Sequence, residues 1–591
     1  MKFWLLLLVW PVFAWAVPQL ELNIQLDPAS RHFAASGVLR DVRDLSGFHL
    51  SRDFEVTELK ANGVSIPPRR RLASADFFSL PSGTRRVELR YRAKLAPTLS
   101  LDHRQVLRQR AATASPEGSF LPASSGWYPR AAEFFHYRLT LELPAGQKGL
   151  VAGNLKSEQQ TADGYRAEFD FPHPADGIDL MAGPYVVREQ PLTLPAGRRI
   201  VVRTWFHPEL TELAAAYLDD SARYLMRYSR LIGDYPFEIF SVVSSPTPTG
   251  FGMPSLTYLG REVIKLPFIR ATSLGHEVLH NWWGNGVYPD WDSGNWSEGL
   301  TTFLADYAYK EEEGETAARE MRIGWLRDYA AVPPGADMAL KDFTSRHHGI
   351  ASVIGYNKAA MVFLMLRDRI GQEAFERGLQ LLWAQKRFQV ASWSDLEVAF
   401  SAASGRSQAT FFRQWVNQAS APTFSADEIA RDSDYRLWRR IDPAQLPPIL
   451  REVFIAPKVR LIVADTDAEV RQAANALAAR VLDAKDMSGG NARLIIGRDT
   501  TIERWLADNA LPPPPAALRG KGSARVWAGR DGSGKPYVVV SGRDAAALAA
   551  LQRGLPHYGK QGWLVFEGGR ASEKGLELPG SLTAPGGRPS H

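Results

Sequence analysis

Two histidines four residues apart, with a glutamate beside the first, are the part of this sequence best suited to chemistry: His276-Glu277-Val278-Leu279-His280. On an α-helix, positions i and i+4 share one face a turn apart. Two imidazoles so placed bind one zinc ion through ring nitrogens at about 2.0–2.1 Å. The glutamate between them, Glu277, would point beside such a metal and can take a proton from a bound water. A surface helix with two solvated histidines would satisfy the same five residues, but three features argue against it. The polar stretch Arg270-Ala271-Thr272-Ser273 opens the helix, and the flank Asn281-Trp282-Trp283-Gly284-Asn285 is rich in aromatics. A third ligand candidate, Glu298, stands in Asn295-Trp296-Ser297-Glu298-Gly299-Leu300 at the start of the next helical run. Two histidines and one carboxylate leave a fourth position open, which is the arrangement of a catalytic zinc rather than a structural one. The expected cofactor is therefore a single Zn2+ ion.

These residues need a scaffold, and the chain is long enough to supply several domains. Its 591 residues, 45% hydrophobic and 23% charged, have an ordinary globular balance. That balance excludes disordered, collagenous and multi-span membrane proteins. The absence of cysteine excludes disulfide scaffolds, thiol nucleophiles and thiolate metal sites. A net charge of +6, from 70 basic and 64 acidic residues, is too thinly spread to argue for nucleic acid. Lys2, an apolar run over 3–13 and the small–x–small triplet Ala14-Trp15-Ala16 read as a signal peptide over 1–16. The expected protein is exported, periplasmic or secreted from a bacterial source, with no stable membrane insertion after cleavage. No later stretch reads as long and apolar enough to span a membrane.

From 17 to 206 short runs alternate apolar and polar residues between Gly and Pro turns, as in Leu20-Glu21-Leu22-Asn23-Ile24. This period of two predicts a mostly antiparallel β-sandwich. From 207 to 424 the period lengthens, and 209–228, 271–281, 298–313 and 359–370 read as helices. From 425 to 591, β-type runs at 459–463, 492–496, 524–528, 537–540 and 563–566 alternate with helical runs at 469–482 and 544–551, an α/β pattern. Residues 575–591 read as a loose tail. The expected architecture is multidomain α+β.

His276-Glu277-x-x-His280, then Trp283-Gly284-Asn285, then Trp296-Ser297-Glu298-Gly299, resembles the alanyl-aminopeptidase family of zinc peptidases, gluzincins with a thermolysin-like catalytic domain. The resemblance implies a mainly helical zinc peptidase domain over 207–424, an aminopeptidase-like hydrolase and a peptide or protein substrate. It implies that His276, His280 and Glu298 hold the zinc and that Glu277 is the general base. Seventeen residues, 281–297, separate His280 from Glu298, one fewer than is usual in the family, and the loop 287–295 can absorb the difference. Tyr356-Asn357-Lys358-Ala359 resembles the family's Tyr-Glu-Lys-Gly segment, whose tyrosine hydroxyl binds the developing oxyanion. Phe411-Phe412-Arg413-Gln414-Trp415, followed by Pro422, resembles the exit of the catalytic domain. The resemblance covers 17–424 and is strongest over 206–370. A partner for the C-terminal region is left open.

One departure bears on the substrate. Family members carry Gly-Ala-Met-Glu-Asn on the edge strand of the cleft, and its glutamate anchors the substrate's free amine. Here the stretch reads Gly250-Phe251-Gly252-Met253-Pro254-Ser255. Gly252 and Met253 keep the substrate-binding positions, and Pro254 replaces the acid. The second anchoring stretch, 119–130, contains no acid either. A buried ammonium without a carboxylate is costly. An endopeptidase, a blocked-peptide hydrolase or an epoxide hydrolase is therefore an alternative, and a catalytically silent exported binding protein is another. Gly529-Arg530-Asp531-Gly532-Ser533-Gly534-Lys535 imitates a phosphate loop, but Pro536 and a strand follow, so it reads as a hairpin turn. His347-His348 reads as a solvated loop pair.

Overall fold

The computed structural model describes residues 17–41, 43–71, 76–98, 111–333, 335–344, 349–419, 448–482 and 486–576. The expected signal peptide, His347-His348, Pro422, the 424/425 boundary and the tail beyond 576 lie outside the described residues. The chain divides into two units, Met1–Tyr288 with Gln380–Val390, and Pro289–Leu379 with Ala391–His591. The segment 380–390 belongs with the first unit for local reasons. Phe388 N–H donates to Gly286 O (2.6 Å), the Phe388 ring stacks on His173 at 3.6 Å, and Trp383 packs on Gly233 and Gly286.

The first unit opens with an eight-stranded sheet. Its spatial order is Asn154–Gln160, Gly164–Ala175, Phe135–Pro144, Gln19–Asp27, His32–Arg40, Arg86–Lys94, Glu55–Ala61 and Val64–Ser65. All neighbours are antiparallel except Gln19–Asp27 and Phe135–Pro144, which run parallel. The period of two decides which face is buried: Leu20, Leu22, Ile24 and Leu26 point inward from one strand. A five-stranded sheet of Lys148–Val151, Leu180–Gly183, Ser119–Leu121, Thr113–Ala114 and Ala96–Pro97 packs on it. The two sheets meet closely at Gly149, where a Cβ would come within 2.7 Å of Leu141 Cδ2. The β-rich N-terminal region follows the alternation in the sequence.

A third sheet orders Val186–Thr193, Arg199–Phe206, Ile239–Ser245, Leu256–Gly260 and Gly250–Met253. The inner pairs are parallel, and the edge strand Gly250–Met253 is antiparallel to its neighbour. The expected boundary at 206/207 falls inside this sheet, because Val201 pairs with Ile239 across it. The predicted helix over 209–228 appears as a 3-10 turn, Pro208–Leu213, running into the helix Ala214–Leu231.

In the second unit the predicted helix over 298–313 is three segments: Ser297–Thr302, a π-helical Phe303–Tyr307 and Ala308–Glu313. A second π-helical segment, Val353–Lys358, leads into the helix Ala359–Ile370. The run Ile350–Ile370 is long and apolar enough to cross a membrane by length and composition, contrary to the sequence expectation, and 67% of its apolar window is buried inside the protein. Lys358 sits in this run with its ammonium on Asp337.

The C-terminal part of this unit is a six-stranded mixed sheet of Val459–Val463, Ala492–Arg498, Pro536–Gly542, Ala524–Arg530, Trp563–Glu567 and Arg570–Gly575. The helices Ala468–Val481 and Ala545–Gly554 cover one face and Asp499–Asp508 the other. All five predicted strands and both predicted helices are present. The phosphate-loop imitation is a hairpin turn: Asp531 Oδ1 accepts from the Ser533 and Lys535 amides between two antiparallel strands.

Candidate metal centre

The helix Ser273–Leu279 carries the histidine pair, with His280 as its C-cap. Its period separates two faces. Leu274, Gly275, Val278 and Leu279 are buried, whereas His276, Glu277 and His280 are only partly so. The helical spacing brings the two imidazoles to 5.0 Å between ring centroids. His280 Nδ1 lies 2.9 Å from Trp283 O. A carbonyl only accepts, so Nδ1 carries the hydrogen and Nε2 keeps its lone pair for a metal.

The flank 281–285 fastens this helix through uncharged groups. Asn281 is fully buried; its Nδ2 donates to Val278 O (2.9 Å), and its Oδ1 accepts from the Ser255 amide (2.8 Å) and the Tyr235 hydroxyl (3.4 Å). Ser255 completes the two-residue turn between Gly250–Met253 and Leu256–Gly260. Proline first and a positive φ second is the pattern of a type II turn, and Ser255 holds φ +62. Its hydroxyl accepts from the Gly153 amide at 3.0 Å. The residue that replaces the family's acid is thus part of a turn fastened to the ligand helix. Sequence reasoning missed this role of Ser255.

Gly252 runs directly against Glu277. A Cβ there would come 2.7 Å from Glu277 Oε2 and 3.2 Å from both Glu277 O and His280 Cβ. Asn285 Nδ2 donates to Gly252 O at 3.2 Å, and Asn285 N to His280 O at 3.0 Å. Met253 is buried, so its side chain packs inside.

Glu298 occupies the first turn of Ser297–Thr302. Asn295 Oδ1 accepts from the Ser297 amide (3.0 Å) and hydroxyl (2.7 Å), and Trp296 Nε1 donates to Ala391 O (2.7 Å). This turn packs on the helix that follows Tyr356, where a Cβ on Gly299 would lie 2.2 Å from Ala359 Cβ. Tyr356 lies in the π-helical segment, edge-on to Phe343 at 6.3 Å. Its neighbours are held by charges. Asn357 Nδ2 donates to Asp328 Oδ2 (2.8 Å), and Lys358 Nζ donates to both Asp337 oxygens (3.1 and 3.2 Å), Met338 O and Ala419 O. Burial pushes the Lys358 ammonium's pKa down and Asp337 opposes the shift.

One ligand atom each from His276, His280 and Glu298 lies within 4.8 Å of the others, the one such group of three among the described residues. A tetrahedral zinc with bonds of about 2.0–2.2 Å needs ligand atoms roughly 3.3–3.5 Å apart. That bound admits the zinc spacing, and the two-imidazole, one-carboxylate donor set and the Trp283 carbonyl behind His280 fit zinc.

Comparison with known proteins agrees with this geometry. Residues 270–415 match the peptidase family M1 domain. The chain is 24% identical over 273 residues to aminopeptidase N of Escherichia coli, covering 43% of this chain and 31% of that protein. It is 28% identical over 192 residues to human glutamyl aminopeptidase, covering 30% and 19%. The chain thus matches about a third or less of the length of these relatives. A solved M1 zinc metallopeptidase of Deinococcus radiodurans shares the fold at a TM-score of 0.56 and 19% identity, covering 69% of this chain and 95% of that one. The match to the peptidase family M1 domain covers residues 270–415, the stretch that carries His276, Glu277, His280, Glu298 and Tyr356.

Proposed function

We propose that this chain is an exported, zinc-dependent hydrolase of peptide bonds, aminopeptidase-like in its chemistry, with one zinc held by His276, His280 and Glu298. The clustering of those three side chains beside Glu277 carries the reading. Zinc in such a site supplies a Lewis acid and a more acidic water. The rest is the work of this chain's residues. The Glu277 carboxylate takes a proton from the attacking water and returns it to the leaving nitrogen. The Tyr356 hydroxyl donates to the oxyanion. Gly252, without a side chain, lets the edge strand run close against Glu277, and an extended substrate would pair along that strand. The signal-like residues 1–16 support export, and the assignment of 17–206, 207–424 and 425–591 as three regions belongs to the same proposal, with the strand Arg199–Phe206 joining the sheet of the second region.

A second reading, hydrolysis without the need for a free substrate amine, is favoured by the turn at Pro254-Ser255. The family's amine anchor is absent there, and Asn285 already holds the Gly252 carbonyl. The test is hydrolysis by residues 17–591 with added zinc, pairing a free-amine leucyl or alanyl peptide with its N-acetylated twin. Glu277→Gln is the blank and is expected to lower kcat by about 10²–10⁴-fold with zinc content unchanged. Cleavage of the free-amine peptide alone supports the aminopeptidase reading. Equal cleavage of the acetylated twin supports the second. Failure to bind zinc would sink both.

A further inference from the structure

The α/β region at the C-terminus has no part in the chemistry so far, yet one of its residues reaches the carboxylate that holds the turn carrying Tyr356. Asp328, in the helix Glu315–Ala330, is almost completely buried at 1% exposure. Its Oδ2 accepts from Asn357 Nδ2 at 2.8 Å and lies 2.6 Å from Arg451 NH1, with Lys560 Nζ at 3.6 Å. Both cations belong to the C-terminal region, and Asn357 is the residue next to Tyr356.

Arg451 is firmly planted. Its amide donates to Gly559 O (2.8 Å), the preceding Leu450 amide to Gln561 O (2.9 Å), and Glu452 pairs with Arg530 (3.0 Å). Leu450, Val453 and Phe454 around it are buried in the core beneath the six-stranded sheet. A buried carboxylate needs a cation, because an unpaired charge in the interior costs several kcal/mol. Arg451 is the nearer of the two cations on Asp328 and fixes its carboxylate, and that carboxylate in turn fixes Asn357.

We propose that Arg451 of the C-terminal region is a positioning residue for Tyr356, acting through Asp328 and Asn357. The C-terminal region thereby sets the oxyanion donor rather than merely covering the catalytic domain. The proposal rests on the reading that Tyr356 donates to the oxyanion.

The experiment uses the full chain and compares Arg451→Ala, Arg451→Lys, Tyr356→Phe and the Arg451→Ala/Tyr356→Phe pair by steady-state kinetics, with zinc content and amide hydrogen exchange over 350–358. Arg451→Ala is expected to lower kcat about tenfold with KM within about twofold, and Arg451→Lys to restore most of the loss. In the Tyr356→Phe background the same change is expected to cost less than about twofold, because the group it positions is gone. Exchange over 350–358 is expected to quicken at least about tenfold in Arg451→Ala, with zinc content unchanged. Unchanged kcat in Arg451→Ala, or an equal loss in the Tyr356→Phe background, overturns the proposal. If the wild type cleaves no peptide, the functional reading has failed, and hydrogen exchange decides the coupling alone: unchanged protection over 350–358 overturns it.

Discussion

The ligand helix and the Tyr356 turn are held by opposite chemistry. Around 273–285 the fastenings are neutral: a buried Asn281, the Trp283 carbonyl and the Asn285 amide. Around 353–358 they are ionic: Asp328 with Arg451, and Asp337 with Lys358. Neutral hydrogen bonds contribute about 1 kcal/mol each and need no distant countercharge. Buried charges hold only while every partner is present. The residues that place the histidines, Asn281, Trp283 and Asn285, lie beside them in sequence, and their neutral partners are Tyr235, Gly252 and Ser255. The tyrosine depends on a residue 95 positions away, Arg451.

The most severe way to break this contrast is Asp328→Ala. It strands the Arg451 guanidinium and the Asn357 amide together, and it is expected to cost about 3–5 kcal/mol of unfolding free energy. Denaturant unfolding measures it, and a loss below about 1 kcal/mol would show that the carboxylate is not holding charge in a dry interior. On the neutral side, Asn281→Leu removes one acceptor and one donor. It is expected to cost about 2 kcal/mol, by leaving the Ser255 amide unsatisfied, and to weaken zinc binding by about tenfold. Competition with a chelator reads the second effect. Equal losses at the two sites would erase the distinction.

The first unit is not indifferent to pH for all its neutral anchors. Burial and the nearby His136 hold the His173 imidazole down at about 4, and the ring stacks on Phe388. A depressed histidine binds fewer protons folded than unfolded, so its contribution is complete above the ordinary value of about 6.5 and is lost as pH falls towards 4. Because the ring is partly exposed, the loss is about 1–2 kcal/mol rather than the full value of the shift. Wild type should lose that much more unfolding free energy between pH 7 and pH 4.5 than His173→Phe does. Parallel losses would remove His173 from the account.

What was legible in the sequence follows the same division. The candidate ligands and the candidate base announce themselves because helical spacing fixes their geometry within a few residues, and Glu298 follows in the next helix. The strands of the N-terminal sheet were legible because one buried face imposes a period of two, and those of the C-terminal sheet because helices on both faces make them continuous apolar runs. The Asp328 link was not: an aspartate in Leu326-Arg327-Asp328-Tyr329 looks like an ordinary solvated helix residue, and only folding brings Arg451 to it. The π-helical segments Phe303–Tyr307 and Val353–Lys358 were also hidden, since one inserted residue barely alters apolar periodicity. The sheet spanning 206/207 was hidden because Arg199–Phe206 and Ile239–Ser245 pair in parallel across an intervening helix, which local patterning does not register.

The finest test of the neutral half is one carbon atom. Gly252→Ala places a Cβ 2.7 Å from Glu277 Oε2, closer than real contacts allow, while the other neighbours stand at 3.2 Å. The carboxylate is the end of a flexible side chain, so it rotates away and the backbone stays. Alanine suits a strand better than glycine, which offsets the crowding, so stability should stay within about 0.5 kcal/mol. The cost then falls on proton transfer, and kcat is expected to drop about tenfold with zinc content intact. Gly250→Ala is the matched control on the same strand, because its nearest atom, Leu259 Cδ2, lies 3.8 Å away. If the two variants are equally active, the space beside Glu277 is not what glycine provides at 252. If only Gly252→Ala is slow, the edge strand sets the position of the general base as closely as the helix that carries it.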